Sequence, residues 1–451
     1  MINNIIEYLK DKNIAILGFG MEGKSSYRFI RRYLDIPLTI IDKNNPYNNM
    51  EELSLDKNTS VIYGDSYLDN LDKYDLVIKS PGVITKDIDV TNINFTSQLE
   101  LLLKYNKDNV IGITATKGKS TTSTLVYEVL KSCGIKTYLL GNIGKAIFEE
   151  IENIDSNTIV VVEMSALQLE FVTTSPHISA IINLYEDHLD HAGTVEHYHA
   201  NKLNIFKYQD NSDYAIYCTD IEPLNSYIDD NYKGIKYGIQ FNGCNNLNVT
   251  SIKDDYVVLN NECLYNINSD RILVGSHNLR NIMIVLTISK ILGLDMNTVI
   301  DTINNFKGLE HRLEYVGKYD GITYYNDSIA TIPDATINAI KSLKNVNTLI
   351  FGGMDRGIDY KPLLDYLNTG VVKNLICMPK TGYMIGDLIT NKSVSVYKVE
   401  LLDDAVKLAK EITTKDTICL LSPAAASYEY FKNFEEKGRA FKSFVVGDKN
   451  E

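Results

Sequence analysis

The chain has 451 residues, 44% hydrophobic and 23% charged, and carries a formal net charge of −13. That length exceeds one compact core and predicts about three domains, while the ordinary composition excludes a disordered chain and the acidic balance excludes a nucleic-acid surface. No apolar run approaches the roughly 18 residues of a membrane-spanning helix, no secretory leader pattern is visible, and the six cysteines form no C-x-x-C, which argues against structural zinc and for reduced thiols in a cytoplasm.

In chain order, Asn13-Ile-Ala-Ile-Leu-Gly-Phe-Gly-Met-Glu-Gly23 predicts a strand entering a G-x-G-x-x-G turn, with a helix over Lys24–Tyr33 behind it. Gly18, Gly20 and Gly23 supply a tight turn, close backbone approach and helix packing. Asp42, ending a second strand Leu38–Asp42, stands where such a turn places an acid near a ribose. The same glycines also serve a doubly wound sheet for packing alone. Leu76–Val83 predicts a strand that runs into the Ser80-Pro81-Gly82 loop, a ligand edge of the same sheet.

Val110-Ile-Gly-Ile-Thr-Ala-Thr-Lys-Gly-Lys-Ser-Thr-Thr-Ser-Thr-Leu125 predicts a buried strand, a tight loop and a helix from near Lys119. Gly118-Lys119-Ser120 at that junction suits a phosphate. Backbone N–H groups face the anion, the lysine reaches its terminal oxygens and a hydroxyl ligates Mg²⁺. Ile113 stands where a strict phosphate-loop pattern has its first glycine, and a plain helix cap is the other use of Lys-Ser-Thr-Thr. Thr158–Ser165 is a β-branched run that presents Glu163, with Gln168 beyond it. Ile178–Leu184 is an apolar strand opening onto His188, at the strand end where doubly wound sheets place their chemistry. His191, His197 and His199 read as ordinary surface or core residues. A helix pattern over Gly193–Asp210 presents Lys202 amid apolar neighbours. Asn211–Ser269 shows short β-like runs and no motif. Leu273–Asn281 leads into an apolar helix over Ile282–Leu292, with Asn278 and Asn281 as candidate caps.

In the last third, Thr323–Ser328, Thr348–Gly353 and Thr417–Pro423 each read as a strand ending in a polar loop, the last leading to a helix over Tyr428–Phe444. Strands alternating with helices imply a parallel sheet.

Together these stretches resemble the Mur ligases, the ATP-dependent amide-bond-forming enzymes of peptidoglycan precursor assembly, over nearly the whole chain and in the family's order. Ile113–Thr121, Glu163-Met-Ser-Ala-Leu-Gln168, Glu186-Asp-His-Leu-Asp190 and Tyr198-His-Ala-Asn-Lys202 match stations common to the family. Ser80-Pro-Gly82, Asn326–Thr331, Gly352-Gly-Met-Asp-Arg356 and the long run Leu421–Gly438 point to its D-glutamate-adding branch.

The resemblance implies an α/β protein of three domains. These are a Rossmann-like N-terminal domain for a UDP substrate (1–98), a central P-loop ATPase-type parallel-sheet domain (99–309) and a Rossmann-like C-terminal domain for the amino acid (310–451). It implies a reaction in which ATP phosphorylates the alanyl carboxylate of UDP-N-acetylmuramoyl-L-alanine and the amine of D-glutamate displaces phosphate from the acyl phosphate, chemistry that needs positioning and charge stabilisation. Lys119 would neutralise the transferring phosphoryl group; Thr116, Gly118, Ser120 and Thr121 would line the phosphates; Asn281, Arg312 and Asp327 would hold the nucleotide. Ser120, Glu163, His188 and a CO₂-carbamylated Lys202 would ligate Mg²⁺. Gly18, Met21, Glu22, Asp42, Lys43, Asn44, Gly82 and Asn142 would neighbour the UDP substrate, and Thr331, Arg356, Ser427 and Phe434 the D-glutamate. The implied ligands are small molecules, with neither nucleic acid nor membrane as partner, and the implied enzyme is a cytoplasmic monomer.

Four positions depart from the family pattern. Ala115 replaces a glycine and would strain the loop if that position needs positive φ; Lys117 replaces an asparagine; Ile329 removes a charge near the amino-acid site; and Arg356 offers a planar fork in place of a lysine. Other classes remain open to the sequence alone. One is an amide ligase of the superfamily that takes a different amine, such as a folylpolyglutamate synthase. Another is a nicotinamide oxidoreductase, which leaves Gly118-Lys119-Ser120 unexplained. The third is a non-catalytic paralogue, suggested by Ala115 and Ile329.

Overall fold

The computed structural model describes residues 1–185, 194–222, 224–243, 246–273, 275, 277–428 and 430–447. Packing divides the chain into two bodies, Met1–Ser269 with His277–Ile303, and Asp270–Ser276 with Asn304–Glu451.

The first body holds two sheets. Strands β1 (Ile14–Leu17), β2 (Leu38–Asp42), β3 (Thr59–Tyr63), β4 (Leu76–Lys79) and β5 (Phe95–Thr96) pair in parallel in the order β3-β2-β1-β4-β5. β1 and β4 are buried at every position, which is why they read as unbroken apolar runs and not as alternating ones. The chain leaves β1 for β2 on one side and later returns to pair β4 on the other, so the turn after β1 opens at a topological switch point. The helix behind it spans Met21–Tyr33, starting inside the glycine turn with Gly20 as its N-cap, three residues earlier than the sequence suggests.

The second sheet comprises β6 (Val110–Thr114), β7 (Thr137–Gly141), β8 (Ile159–Glu163), β9 (Ile178–Ile181), β10 (Tyr214–Cys218), β11 (Ile235–Ile239), β12 (Val249–Lys253), β13 (Tyr256–Leu259) and β14 (Glu262–Asn266), in the order β14-β13-β12-β11-β10-β9-β6-β8-β7. It is parallel from β7 to β12, and β13 and β14 extend it as antiparallel neighbours. The motif-free Asn-rich stretch is thus the far wing of this sheet. β6, buried throughout, sits between β8 and β9, again at a switch point. One contiguous core joins both sheets, with Phe29 packed at a tilt against Phe148, 4.3 Å between ring centres.

The second body carries β15 (Glu314–Tyr319), β16 (Ile322–Asn326), β17 (Val346–Gly353), β18 (Asn374–Lys380), β19 (Ser395–Lys398) and β20 (Ile418–Leu421), in the order β15-β16-β20-β17-β18-β19. β15 is antiparallel and the rest are parallel. Its last helix spans Phe434–Val446, not Tyr428–Phe444. The Asn433 side chain accepts the Glu436 N–H at 2.9 Å and Glu436 reaches back to the Lys432 N–H at 2.6 Å, which fixes the start there.

Candidate active site

At the switch point of the first sheet lies a cavity of about 550 Å³ lined by Gly18, Gly20, Met21, Glu22, Asp42, Lys43, Asn44, Tyr67 and the Ser80–Ile84 loop. Seven of the eight residues expected beside a UDP substrate are therefore brought together, from three segments of sequence. The turn is built on close contact: a Cβ on Gly23 would lie 2.0 Å from the Gly18 carbonyl oxygen, so only glycine lets the helix approach. Asp42 braces the turn. Its carboxylate accepts the Phe19 N–H at 2.6 Å and the Asn44 N–H at 2.8 Å. Glu22 has its carboxyl raised by burial, against the pull of the Gln168 hydrogen bond and of Lys79.

Gln168 links this cavity to the central sheet. Its Oε1 accepts the Ser165 N–H at 3.0 Å, two residues past Glu163, while its Nε2 donates to Glu22 Oε1 at 3.1 Å. Asn142 does not line the cavity. Its amide donates to Glu163 Oε1 at 2.8 Å, so the residue supports the acid at the end of β8.

At the switch point of the second sheet, Gly118 adopts φ +90° and caps the helix Lys119–Ser132. Ser120 and Thr121 occupy its first turn, where unpaired N–H groups favour an anion. The loop ahead of the helix is laced to the end of β9: Asn183 Oδ1 accepts the N–H groups of Thr116 (3.0 Å) and Lys117 (2.9 Å), and its Nδ2 donates to the Lys117 carbonyl at 2.8 Å. The Thr116 hydroxyl exchanges hydrogen bonds with the Tyr185 backbone, so this threonine shapes the loop. Ala115 lies outside the positive-φ region and is fully buried, which removes the expected strain of replacing a glycine. Its carbonyl accepts from Lys119 Nζ at 2.8 Å and from Lys202 Nζ at 2.9 Å, bringing both expected lysines to one oxygen. Asn281 lies one turn inside the helix His277–Ile291 and so does not cap it; its Oδ1 is the nearest atom to any side chain added at Gly118.

Glu163 is 1% exposed and its Oε2 has no hydrogen-bond partner among the described residues. A buried carboxylate oxygen left in that state is costly unless a cation or donor meets it. The Glu163 carboxylate and the Ser120 hydroxyl offer oxygens of the hard type that could hold Mg²⁺. Lys202, 1% exposed, lies on the helix Val195–Lys207 with its Nζ 4.7 Å from the Tyr198 ring centre. His188 lies outside the described residues.

In the second body, Asp327 follows β16 and accepts from the Ser422 hydroxyl (2.8 Å) and the Leu313 N–H (3.1 Å). Burial pushes its carboxyl up to about 7, and Arg312 is among the influences that oppose the rise. Arg356 is exposed and donates to the Thr331 carbonyl at 3.3 Å, joining two residues expected at the amino-acid site. Ser427 is buried, with an Oγ that has no partner among the described residues. Phe434 packs its ring edge-to-face against His311, 5.9 Å between ring centres.

Two residues here escaped the motif reading, and a third was read without its distant partner. Asn183 is a polar residue closing an apolar strand, and that break in pattern was its signal. Gln168 was read as part of a motif, but of its two partners only Ser165 is local, and Glu22 lies 146 residues away. Lys437 shares a buried stripe with Phe441 and Val445 at helical spacing, so a lysine at a core position was legible.

Sequence comparison agrees with this geometry. The chain matches the family models described as Mur ligase MurD-like, N-terminal domain (residues 12–96), Mur ligase middle domain (113–289) and Mur ligase, glutamate ligase domain (311–425). It is 33% identical over 463 residues to a UDP-N-acetylmuramoylalanine–D-glutamate ligase of Clostridium botulinum, covering 97% of each chain. It is also 33% identical over 448 residues to the enzyme of that name from Clostridioides difficile, covering 97% of this chain and 99% of that one. Among solved structures, the UDP-N-acetylmuramate–alanine ligase of Thermotoga maritima matches with a TM-score of 0.55 at 20% identity, over 95% of this chain and 98% of that one. The MurF ligase of the same organism, solved with ADP, matches with a TM-score of 0.55 at 16% identity, over 98% and 96%. Three consecutive family matches over sheets whose switch points carry the expected loops leave one assignment: the chain belongs to the Mur ligase family.

Proposed function

We propose that this chain joins D-glutamate to UDP-N-acetylmuramoyl-L-alanine with cleavage of ATP, as a step of peptidoglycan precursor synthesis. The observation that carries the reading is the end-to-end likeness to ligases of that name, 33% identical over 97% of the chain. The cavity after β1 receives the UDP moiety against Asp42, Lys43 and Asn44. Lys119 and the first turn of its helix hold the ATP phosphates and stabilise the transferring phosphoryl group. Arg312 and Asp327 contribute to nucleotide binding, and Thr331, Arg356 and Ser427 receive the amino acid. The acyl phosphate formed on the alanyl carboxylate is attacked by the amine, and the tetrahedral intermediate collapses to amide and phosphate. Ser120, Glu163 and His188 would hold Mg²⁺, which when bound offsets phosphate charge. The same reading makes the enzyme a cytoplasmic monomer acting on dissolved substrates. No helix among the described residues is long and apolar enough to cross a membrane.

Phosphate release from ATP tests the reaction. It should require both the UDP-muramoyl-alanine acceptor and D-glutamate, with L-glutamate and L-lysine poor substitutes. Equal turnover with L-lysine would move the chain to another branch, and no release with any amine would make it a non-catalytic paralogue.

The reading includes a carbamate on Lys202. An ammonium only donates, whereas a carbamate offers carboxylate-like oxygens to a cation. Lys202→Ala should be nearly inactive and regain part of its activity with short carboxylic acids. Lys202→Arg, which keeps the charge but forms no such carbamate, should stay inactive; wild-type kcat in that variant would end the idea.

A further inference from the structure

Lys437 is a buried cation that the ligase reading does not use. It is 2% exposed, on the inner face of the helix Phe434–Val446, and its ammonium makes one hydrogen bond, to the Gly352 carbonyl in β17 at 2.9 Å. An ammonium carries three donors, and among the described residues no carboxylate pairs with this one. Among the described residues, the acids Asp355 beyond β17 and Glu435 and Glu436 on its own helix form no ion pair with it, and Arg356, Lys380 and Arg439 are cations like it. Burial alone accounts for the fall of its pKa from 10.5 to about 8. Ser427, 6% exposed, presents a second unsatisfied group, its Oγ having no partner among the described residues. Both residues border one cavity of about 10 Å³, lined also by Gly353, Met354 and Tyr430. That is room for one water-sized group, the size of a single carboxylate oxygen. Met354 N–H donates to Ala426 O at 2.9 Å, so the strand that leads to Arg356 is stitched to the segment that carries Ser427.

From this we infer that Lys437 and Ser427 together seat one carboxylate oxygen of the incoming amino acid, with Lys437 as its buried counter-charge. The inference rests on the ligase reading and deepens it. A dicarboxylic amino acid brings two anionic groups, and the edge of β17 then offers two cations, exposed Arg356 and buried Lys437. An amino acid with a neutral or cationic side chain leaves one of them unmatched, which is a source of selectivity.

Glutarate has both carboxylates and no amine, so its binding reports the seat without titration of a nucleophile. Its Kd should be measured by calorimetry between pH 7 and 9.5 on the wild-type chain and on Lys437→Met. A lysine that titrates near 8 and binds the anion only when charged should weaken glutarate by about tenfold per pH unit above that point. Lys437→Met should bind glutarate at least about tenfold more weakly at pH 7, with a flat profile, while its KM values for ATP and the UDP substrate stay within about twofold of wild type. A lysine that merely fills the core around a trapped water would leave the Kd and its pH dependence unchanged in the variant, and that result overturns the inference. If Lys437→Met does not fold, the wild-type profile decides alone: a flat Kd from pH 7 to 9.5 rejects the counter-charge. If wild-type protein releases no phosphate with D-glutamate, the ligase reading has failed while the glutarate titration still judges the seat.

Discussion

Asp327 shows how far burial alters a single side chain in this protein. Its carboxyl is pushed up from 3.8 to about 7 because desolvation outweighs two hydrogen bonds and the charge of Arg312. The folded chain therefore keeps a proton that the unfolded chain has already lost above about pH 4. Stability attributable to this group is fully present below pH 4 and is lost as pH rises through about 7, by up to about 4 kcal/mol for a shift of that size. Asp327→Asn removes the titration and keeps an acceptor for the Leu313 N–H. The variant should unfold later than wild type at pH 8, with the advantage vanishing near pH 4, and should lose ligase activity if Asp327 serves the nucleotide. Urea unfolding at the two pH values checks it; an equal difference at both would show that the charge is not the cause. The residue scale is also where motif reading was weakest. Lys437 and Asn183 are polar groups at core positions, and their meaning depends on partners such as the Gly352 carbonyl and the Thr116 and Lys117 N–H groups, which lie tens of residues away.

Among the elements, the last helix repays attention because its sequence invited a wrong start. An apolar and aromatic run from Tyr428 looks continuous with the helix, yet Asn433 and Glu436 satisfy the exposed N–H groups and begin it at Phe434. Ahead of that start, Ser427 lies beside Gly353 in the lining of one cavity. Gly438, four residues into the helix, faces the buried knot of His311, Ser328 and Asn326. A Cβ there would meet His311 Nδ1 at 2.2 Å, Ser328 Oγ at 2.4 Å and Asn326 Nδ2 at 2.8 Å. These side chains have little freedom to yield, since Asn326 is tied to His311 at 3.0 Å and to Glu314 at 2.9 Å. Gly438→Ala, favourable in an exposed helix, should here destabilise by about 1–3 kcal/mol through overpacking. A lowered thermal midpoint measures it, and a variant as stable as wild type would mean that the helix shifts freely on its sheet. Helix boundaries of this kind are set by caps and by what the helix lies against, and only the first of these is local in sequence.

Across the whole molecule, each of the three sheets places its loops of interest at a switch point in strand order. β1 turns into Gly18–Gly23, β6 into Ala115–Gly118, and β17 and β20 into Gly353–Arg356 and Ser422–Ser427. A crevice opens wherever a parallel sheet sends successive crossovers to opposite sides, and ligands use it because the helix N-termini and strand ends converge there. By itself the sequence determined the strands at those edges, since apolar β-branched runs buried on both faces announce themselves. It also determined the glycine turns, the lysine and hydroxyls of the phosphate loop, and the acid that ends β8. Tertiary structure alone decided which edges adjoin. It placed Asp42 and the Ser80–Gly82 loop around one cavity, tied Asn142 to Glu163, and brought Lys119 and Lys202 to the carbonyl of Ala115. It also took Ala115 out of the backbone region that glycine alone enters freely. The physical reason is that periodicity and turn chemistry act over a few residues. Strand order, burial of a lone charge and the satisfaction of a buried oxygen are settled by contacts between segments far apart in the chain.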